Sequence, residues 1–208
     1  MKHDPGSHRA MSTLAIARQK ALTWARERAG RDEMSARDAA RWAACRNLDD
    51  IRELVTVWLA GGIAQNPGHC WPPCAETIPL IPVLTAANRA GFLTDNSQRA
   101  GHRRGRSWNA WVCGFISPGP ALTRLDRALQ TFGLEAETCH QASCRDQDCP
   151  RDEVAWFWTQ ACPLAADQLA DALWVYAEDP EPGRNDRLWP ALSGFANSIR
   201  YQPVRERA

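Results

Sequence analysis

The stretch "SWNAWVCGFIS", residues 107–117, constrains this chain more than any other. It alternates Trp108, Ala110, Val112 and Gly114 against Asn109, Trp111, Cys113 and Phe115. Successive strand side chains point to opposite faces, so a run that is apolar on both faces belongs in the centre of a sheet. "PGPALTRLDRALQTFG" follows with helical periodicity, Leu122, Leu125, Leu129 and Phe132 on one side and Gly133 as its stop. "LEAETC" then alternates again. Strand, helix and strand in this order predict a right-handed βαβ crossover, and with it a mixed sheet.

The neighbouring segments supply the other layers. In "MSARDAARWAACRNL", Ser35 is placed to cap a helix carrying Ala39, Trp42 and Ala43. "LDDIRELVTVWLAGGIAQ" reads as a helix opened by Asp49 or Asp50, with Ile51, Leu54, Val55, Trp58 and Leu59 as its stripe. "NPGHCWPPC" is a loop. "AETIPLIPVLTAANRAG" is a helix whose prolines, Pro79 and Pro82, fit only in the first turn. "FLTDNS" reads as a short strand and "RAGHRRGR" as a flexible basic link. "RDEVAWFWTQAC" and "LAADQLADA" are helices, and "LWVYAED" is a fourth strand ended by Pro180. "PEPGRN" is a tight loop before a terminal helix in "DRLWPALSGFANSI".

The expected architecture is a single α+β domain over residues 34–208, with a three- to four-stranded mixed sheet and helices mainly on one face. Residues 1–33 read as a basic helical or partly disordered extension. Its helix, from about Ser12 to Ala29, has an apolar face made mostly of alanine, which buries little area. Met11 and Met34 offer alternative starts.

Composition narrows the function classes. The net charge of +1 gives no whole-protein field towards nucleic acid or membrane, so any such contact needs a local patch. No apolar run approaches the ~20 residues of a membrane span, and no secretory signal is visible at the N-terminus. The expected location is the cytoplasm, where cysteines stay reduced and disulfides are rare. Lys2 and Lys20 are the only lysines, an arginine bias that fits a GC-rich genome.

Four groups of residues could carry chemistry. Cys70 and Cys74 form one knot beside His69; Cys139, His140, Cys144 and Cys149 form another. Thiolates and imidazoles in loops suit a structural zinc. Unliganded thiols and a disulfide or redox role are the alternatives. Asp95, Glu135 and Glu137 lie on or beside predicted strands and could hold Mg²⁺ for phosphodiester hydrolysis, although the lysine usual after the second carboxylate is replaced by Thr138 and Cys139. Arg99, Arg103, Arg104 and Arg106, with His102 and Trp108, could grip phosphates and stack a base. In "DPEPGRNDRLWP", Asp179, Arg184 and Asn185 sit in a proline-stiffened loop, where Asn185 or Asp186 could cap the next helix and Arg184 and Arg187 could pair with Asp179 and Glu181. No nucleophile elbow, phosphate loop, dinucleotide fingerprint or catalytic zinc signature is present.

From Met34 onward the chain resembles an uncharacterised actinobacterial, Streptomyces-type family, a domain of unknown function found in mobile elements. The segments that carry the likeness are "RWAACRNLDDIRELVTVWLAG", "PGHCWPPCAETIPLIPVLTAANRAGFLTDNSQ", "CPRDEVAWFWTQACP" and "YAEDPEPGRNDRLWPAL". The resemblance implies no activity and no catalytic residue. The expected function is a non-enzymatic binding or regulatory module with a protein partner, built on a tryptophan-rich surface. The alternative is nucleic-acid binding through the 99–106 stretch, or Mg²⁺-dependent cleavage.

Overall fold

The computed structural model describes residues 34–68, 72–140 and 151–198. The predicted arm, residues 1–33, lies outside them.

Seven α-helices and six strands are described: α1 (Ala36–Ala43), α2 (Leu48–Leu59), α3 (Ile81–Arg89), β1 (Phe92–Gln98), β2 (Gly101–Arg103), β3 (Arg106–Trp108), β4 (Ala110–Ile116), α4 (Pro120–Thr131), β5 (Ala136–Cys139), α5 (Arg151–Ala161), α6 (Ala166–Asp171), β6 (Leu173–Asp179) and α7 (Leu188–Asn197). Local chemistry explains the boundaries. Ser35 caps α1, its side chain accepting from the Asp38 N–H at 3.1 Å. Helix α2 is opened by Asn47, ahead of the predicted Asp49 or Asp50. Asn47 accepts from the Asp50 N–H at 2.9 Å, and Asp50 reaches back to the Arg46 N–H at 2.8 Å. The reciprocal bonds satisfy two amide donors near the helix start. Pro79 and Pro82 do sit in first turns: a 3-10 turn, Ile78–Leu80, leads directly into α3.

The main sheet has the order β1-β4-β6-β5. As expected, the α+β class, the four strands and the central place of β4 are all present. The pairing is different in detail, because every neighbouring pair is antiparallel. β4 and β5 run parallel, as a βαβ unit requires, but β6 inserts between them and pairs with both. The crossover through α4 therefore skips one position, and the sheet is antiparallel rather than mixed.

Registers sort the strands into two faces. Phe92, Val112, Ile116, Val175, Ala177 and Asp179 share the first. Helices α3, α4 and α7 pack together over it, and Asn88 of α3 ties down Thr94 of β1 through both its side chain and its N–H. The second face carries Leu93, Phe115 and Trp174 in its buried part, with Phe115 and Trp174 edge to face at 5.0 Å. Half-buried Trp111 and Tyr176 stack farther along it. Asp95 is the extra residue of a bulge in β1, and Trp158 of α5 donates to its carboxylate at 2.8 Å. A bulge re-aims one side chain, and here it joins α5 to the sheet.

One buried charge organises the last third of the chain. Arg151 is 1% exposed, and its Nη2 donates to the carbonyls of Leu169, Ala170 and Ala172. A cation at the end of α6 satisfies carbonyls the helix leaves open and meets its negative pole. Among the described residues, no helix is long and apolar enough to cross a membrane.

Candidate functional site

The segment "RAGHRRGR" is a β-hairpin, where a flexible link was predicted. Gly101 pairs with Trp108, His102 with Ser107 and Arg103 with Arg106. The two linking residues, Arg104 and Gly105, have φ of 52° and 74°. Positive φ at both central positions is the signature of a type I′ turn, whose twist matches that of the flanking strands. Such turns favour Asn-Gly; an arginine in the left-handed region costs about 1 kcal/mol or more. Here that cost places a guanidinium at the tip.

Register decides what the ribbon presents. Gly101, Arg103, Arg106 and Trp108 share one face, and His102 and Ser107 share the other, where His102 Nδ1 and Ser107 Oγ meet at 2.8 Å. Arg103, Arg104, Arg106 and Trp108 surround an open concavity of ≈ 590 Å³. Arg99, Arg103, Arg104 and Arg106 are all exposed, and none forms an ion pair among the described residues.

The base of the ribbon is held on two sides. The Trp108 indole donates to the Arg99 carbonyl at 2.9 Å and lies across Gly101, where a Cβ would stand 2.4 Å from the ring. Only glycine fits there. The other hold comes from residues 180–187. Gly183 N–H donates to the Trp108 carbonyl at 3.1 Å. Asn185 grips the Ala100 peptide, accepting from its N–H at 2.7 Å and donating to its carbonyl at 3.1 Å. The same Asn185 Oδ1 accepts from the Trp189 indole at 3.2 Å. Two stretches that the sequence reading treated separately, 99–106 and 179–185, are thus one structural unit.

This corrects the role foreseen for Asn185. Helix α7 starts without a side-chain cap, and Asn185 bonds to the backbone at the β1–β2 junction instead. The foreseen ion pairs are present. Asp179, fully buried, accepts two bonds from Arg187, and Arg187 also reaches Glu181 at 3.0 Å. Arg184 pairs with Asp186 at 2.6 Å and with Glu181. The bond from Arg184 holds the Asp186 carboxyl below its ordinary value, and the bond to Asp179 raises Arg187.

The remaining candidates are dispersed. Asp95 lies on β1 and Glu137 on β5, at opposite edges of the sheet. Three strand spacings, about 14 Å, separate those edges. Asp95 is also buried against Trp158, so Asp95, Glu135 and Glu137 do not meet around one cation. Glu137 instead faces Glu178; partial burial, then that like charge, push its carboxyl upward. Tyr176 donates to Glu178 at 2.7 Å, and Asn109 bonds the same carboxylate. Of the cysteine knots, Cys74 is exposed beside Thr77 Oγ1 at 3.2 Å, and Cys139 and His140 close β5. Cys70, Cys144 and Cys149 lie outside the described residues, as does His69. Among the described residues no three His, Cys, Asp or Glu side chains gather as a metal site.

Sequence reasoning missed the clamp because its halves are 85 residues apart. The Arg104-Gly105 dipeptide was the available signal for the turn, since a glycine after a polar residue between two short runs marks a hairpin. A family model matches residues 37–147, more than half of the chain: DUF6919, a domain of unknown function. No curated protein matches the chain.

Proposed function

The chain belongs to the DUF6919 family, and we propose that it works there as a non-catalytic binding module that holds the phosphate backbone of a nucleic acid on its β2–β3 ribbon. The observation that carries this reading is the set of exposed arginines, Arg103, Arg104 and Arg106, which have no carboxylate partner among the described residues and stand beside Trp108 on a clamped base. Guanidinium forks match phosphate oxygens, and a ribbon can enter a groove or lie along a single strand. An arginine held at positive φ at the tip is a conformational cost that contact with a partner would offset. The arginine bias and the quoted segments support an actinobacterial accessory or mobile-element genome as the setting.

The test is fluorescence anisotropy with short single- and double-stranded oligonucleotides over a salt series. Three phosphate contacts give a log–log salt slope of about −2 to −3. Absence of binding at low salt, or binding that the Arg103→Ala, Arg104→Ala, Arg106→Ala triple variant leaves intact, overturns the proposal.

One observation favours a protein partner as a second reading. Trp156 and Leu164 are 56% and 63% exposed on and just beyond α5. Such a contact would depend weakly on salt and fail in Trp156→Ala, not in the ribbon variant. A structural zinc drawing on Cys70, Cys74, Cys139, His140, Cys144 and Cys149 is likewise a proposal, tested by metal content of protein purified under reducing conditions. About one zinc per chain, released by chelator with loss of stability, supports it; no metal ends it.

A further inference from the structure

A second concavity adjoins the foot of the ribbon. It is a groove of ≈ 450 Å³ between α3 and α7, within the size range of small-molecule sites. Its two walls differ. On the α3 side stand Pro79, Pro82, Val83 and Ala86. Proline has no N–H, so this wall offers hydrocarbon and no donor from either proline. On the α7 side stand Trp189, Ser193 and Asn197, spaced by four and so on one helix face. Ser193 donates to the Trp189 carbonyl at 2.9 Å, which leaves its oxygen to accept. The exposed Asn197 amide supplies both a donor and an acceptor. An apolar wall opposite polar groups suits a flat ring with a hydrogen-bonding rim, the chemistry of a nucleobase.

Groove and ribbon share two joints. Arg99 lines the groove, and its carbonyl accepts from the indole of Trp108, which lines the ribbon concavity. Asn185 also lines the groove; it grips the Ala100 peptide and takes the Trp189 N–H. The exposed Arg99 guanidinium therefore belongs to the residue that joins the two concavities, and it has no carboxylate partner among the described residues. A phosphate between the groove and the ribbon is the group that complements it.

Resting on the phosphate-binding reading of the ribbon, we propose that the α3–α7 groove takes an unpaired base of the strand held there, so that the protein selects single-stranded nucleic acid. Charge alone points the other way. A duplex is the denser polyanion and releases more counterion per phosphate contact, so a surface that only grips phosphates favours the duplex. The bases of a duplex are stacked and paired, and one enters the groove only at the cost of unpairing. A single strand presents its bases free. A preference for single strands thus reports the groove, and binding as such reports the ribbon.

The experiment measures fluorescence anisotropy of the full chain with an oligothymidylate and with a duplex of equal length, at one salt concentration. Wild-type protein should bind the single strand about 10-fold more tightly or better, the scale of one accommodated base. Asn197→Trp fills the groove from an exposed position. It should abolish that preference, while duplex affinity, carried by the ribbon, changes far less. A thermal melt checks that the variant is folded, and the wild-type preference stands as a test without it. Equal or tighter binding of the duplex by wild type, or a preference that survives in folded Asn197→Trp, overturns the groove and leaves the ribbon reading standing. Absence of binding to either oligonucleotide overturns both.

Discussion

The β2–β3 ribbon and the 180–187 loop touch each other, and both are rich in arginine, but they use the charge in opposite ways. In the loop, Arg184 and Arg187 face Asp179, Glu181 and Asp186, and every guanidinium has a carboxylate. In the ribbon, Arg103, Arg104 and Arg106 have none among the described residues. Paired arginines hold the loop in shape; the shaped loop then offers Asn185 and Gly183 to the ribbon. The comparison separates charge that builds a platform from charge that the platform displays. It also explains how a chain of net charge +1 can carry a local cationic surface.

The sharpest way to break the comparison is to remove each set in turn. The Arg103→Ala, Arg104→Ala, Arg106→Ala variant should lose affinity for oligonucleotides on the order of 100-fold, since each charge-assisted contact contributes about 1 kcal/mol or more. Its melting temperature should stay within a degree or so of wild type, because exposed, unpaired side chains hold nothing in the fold. Arg184→Ala should weaken binding far less, because Arg187 still ties the loop to Asp179 and Glu181. Equal losses in both variants would erase the distinction.

Asn185→Ala cuts the link between the two regions. It leaves the Ala100 peptide and the Trp189 indole without their partner. The expected cost is about 2 kcal/mol, read as a fall of roughly 4–8 °C in a thermal melt. Oligonucleotide affinity should also weaken, as the ribbon base loosens. A smaller effect sharpens the reading of the tip. Arg104→Gly should stabilise by about 1 kcal/mol at most, by relieving positive φ, while reducing affinity several-fold. Opposite signs in one variant would separate strain from stability.

The smallest effect is one of pH. Arg184 holds the folded Asp186 carboxyl below its unfolded value, so its contribution is present above the unfolded value and is lost as pH falls through the lowered one. A thermal-melt series from neutral to acid should therefore show a slightly shallower acid decline in Asp186→Asn. Glu137 has the opposite sign. Its folded carboxyl is raised, so it opposes folding once ionised. Glu137→Gln should raise the melting temperature slightly at neutral pH and make no difference in acid.

Much of the local structure was legible in the letters. Ser35 as a cap, the proline-led start of α3, the glycine stops, the strand at 173–179 and the paired arginines of the 180–187 loop all follow from groups a few residues apart. The site was legible only as two unrelated fragments. Nothing near Asn185 says that its amide will bind Ala100 rather than cap α7, because the choice depends on where β1 ends in space.

By itself, then, the sequence determined the class of the fold, most of its elements and the central place of β4. Side-chain periodicity and capping chemistry act over a turn or a strand and need no distant partner. The tertiary structure decided that β6 inserts between β4 and β5 and that the basic stretch closes into a ribbon on the 180–187 loop. Those are choices among partners far apart in the chain. They depend on which surfaces bury the most apolar area together, a quantity that belongs to the whole molecule and to no single segment.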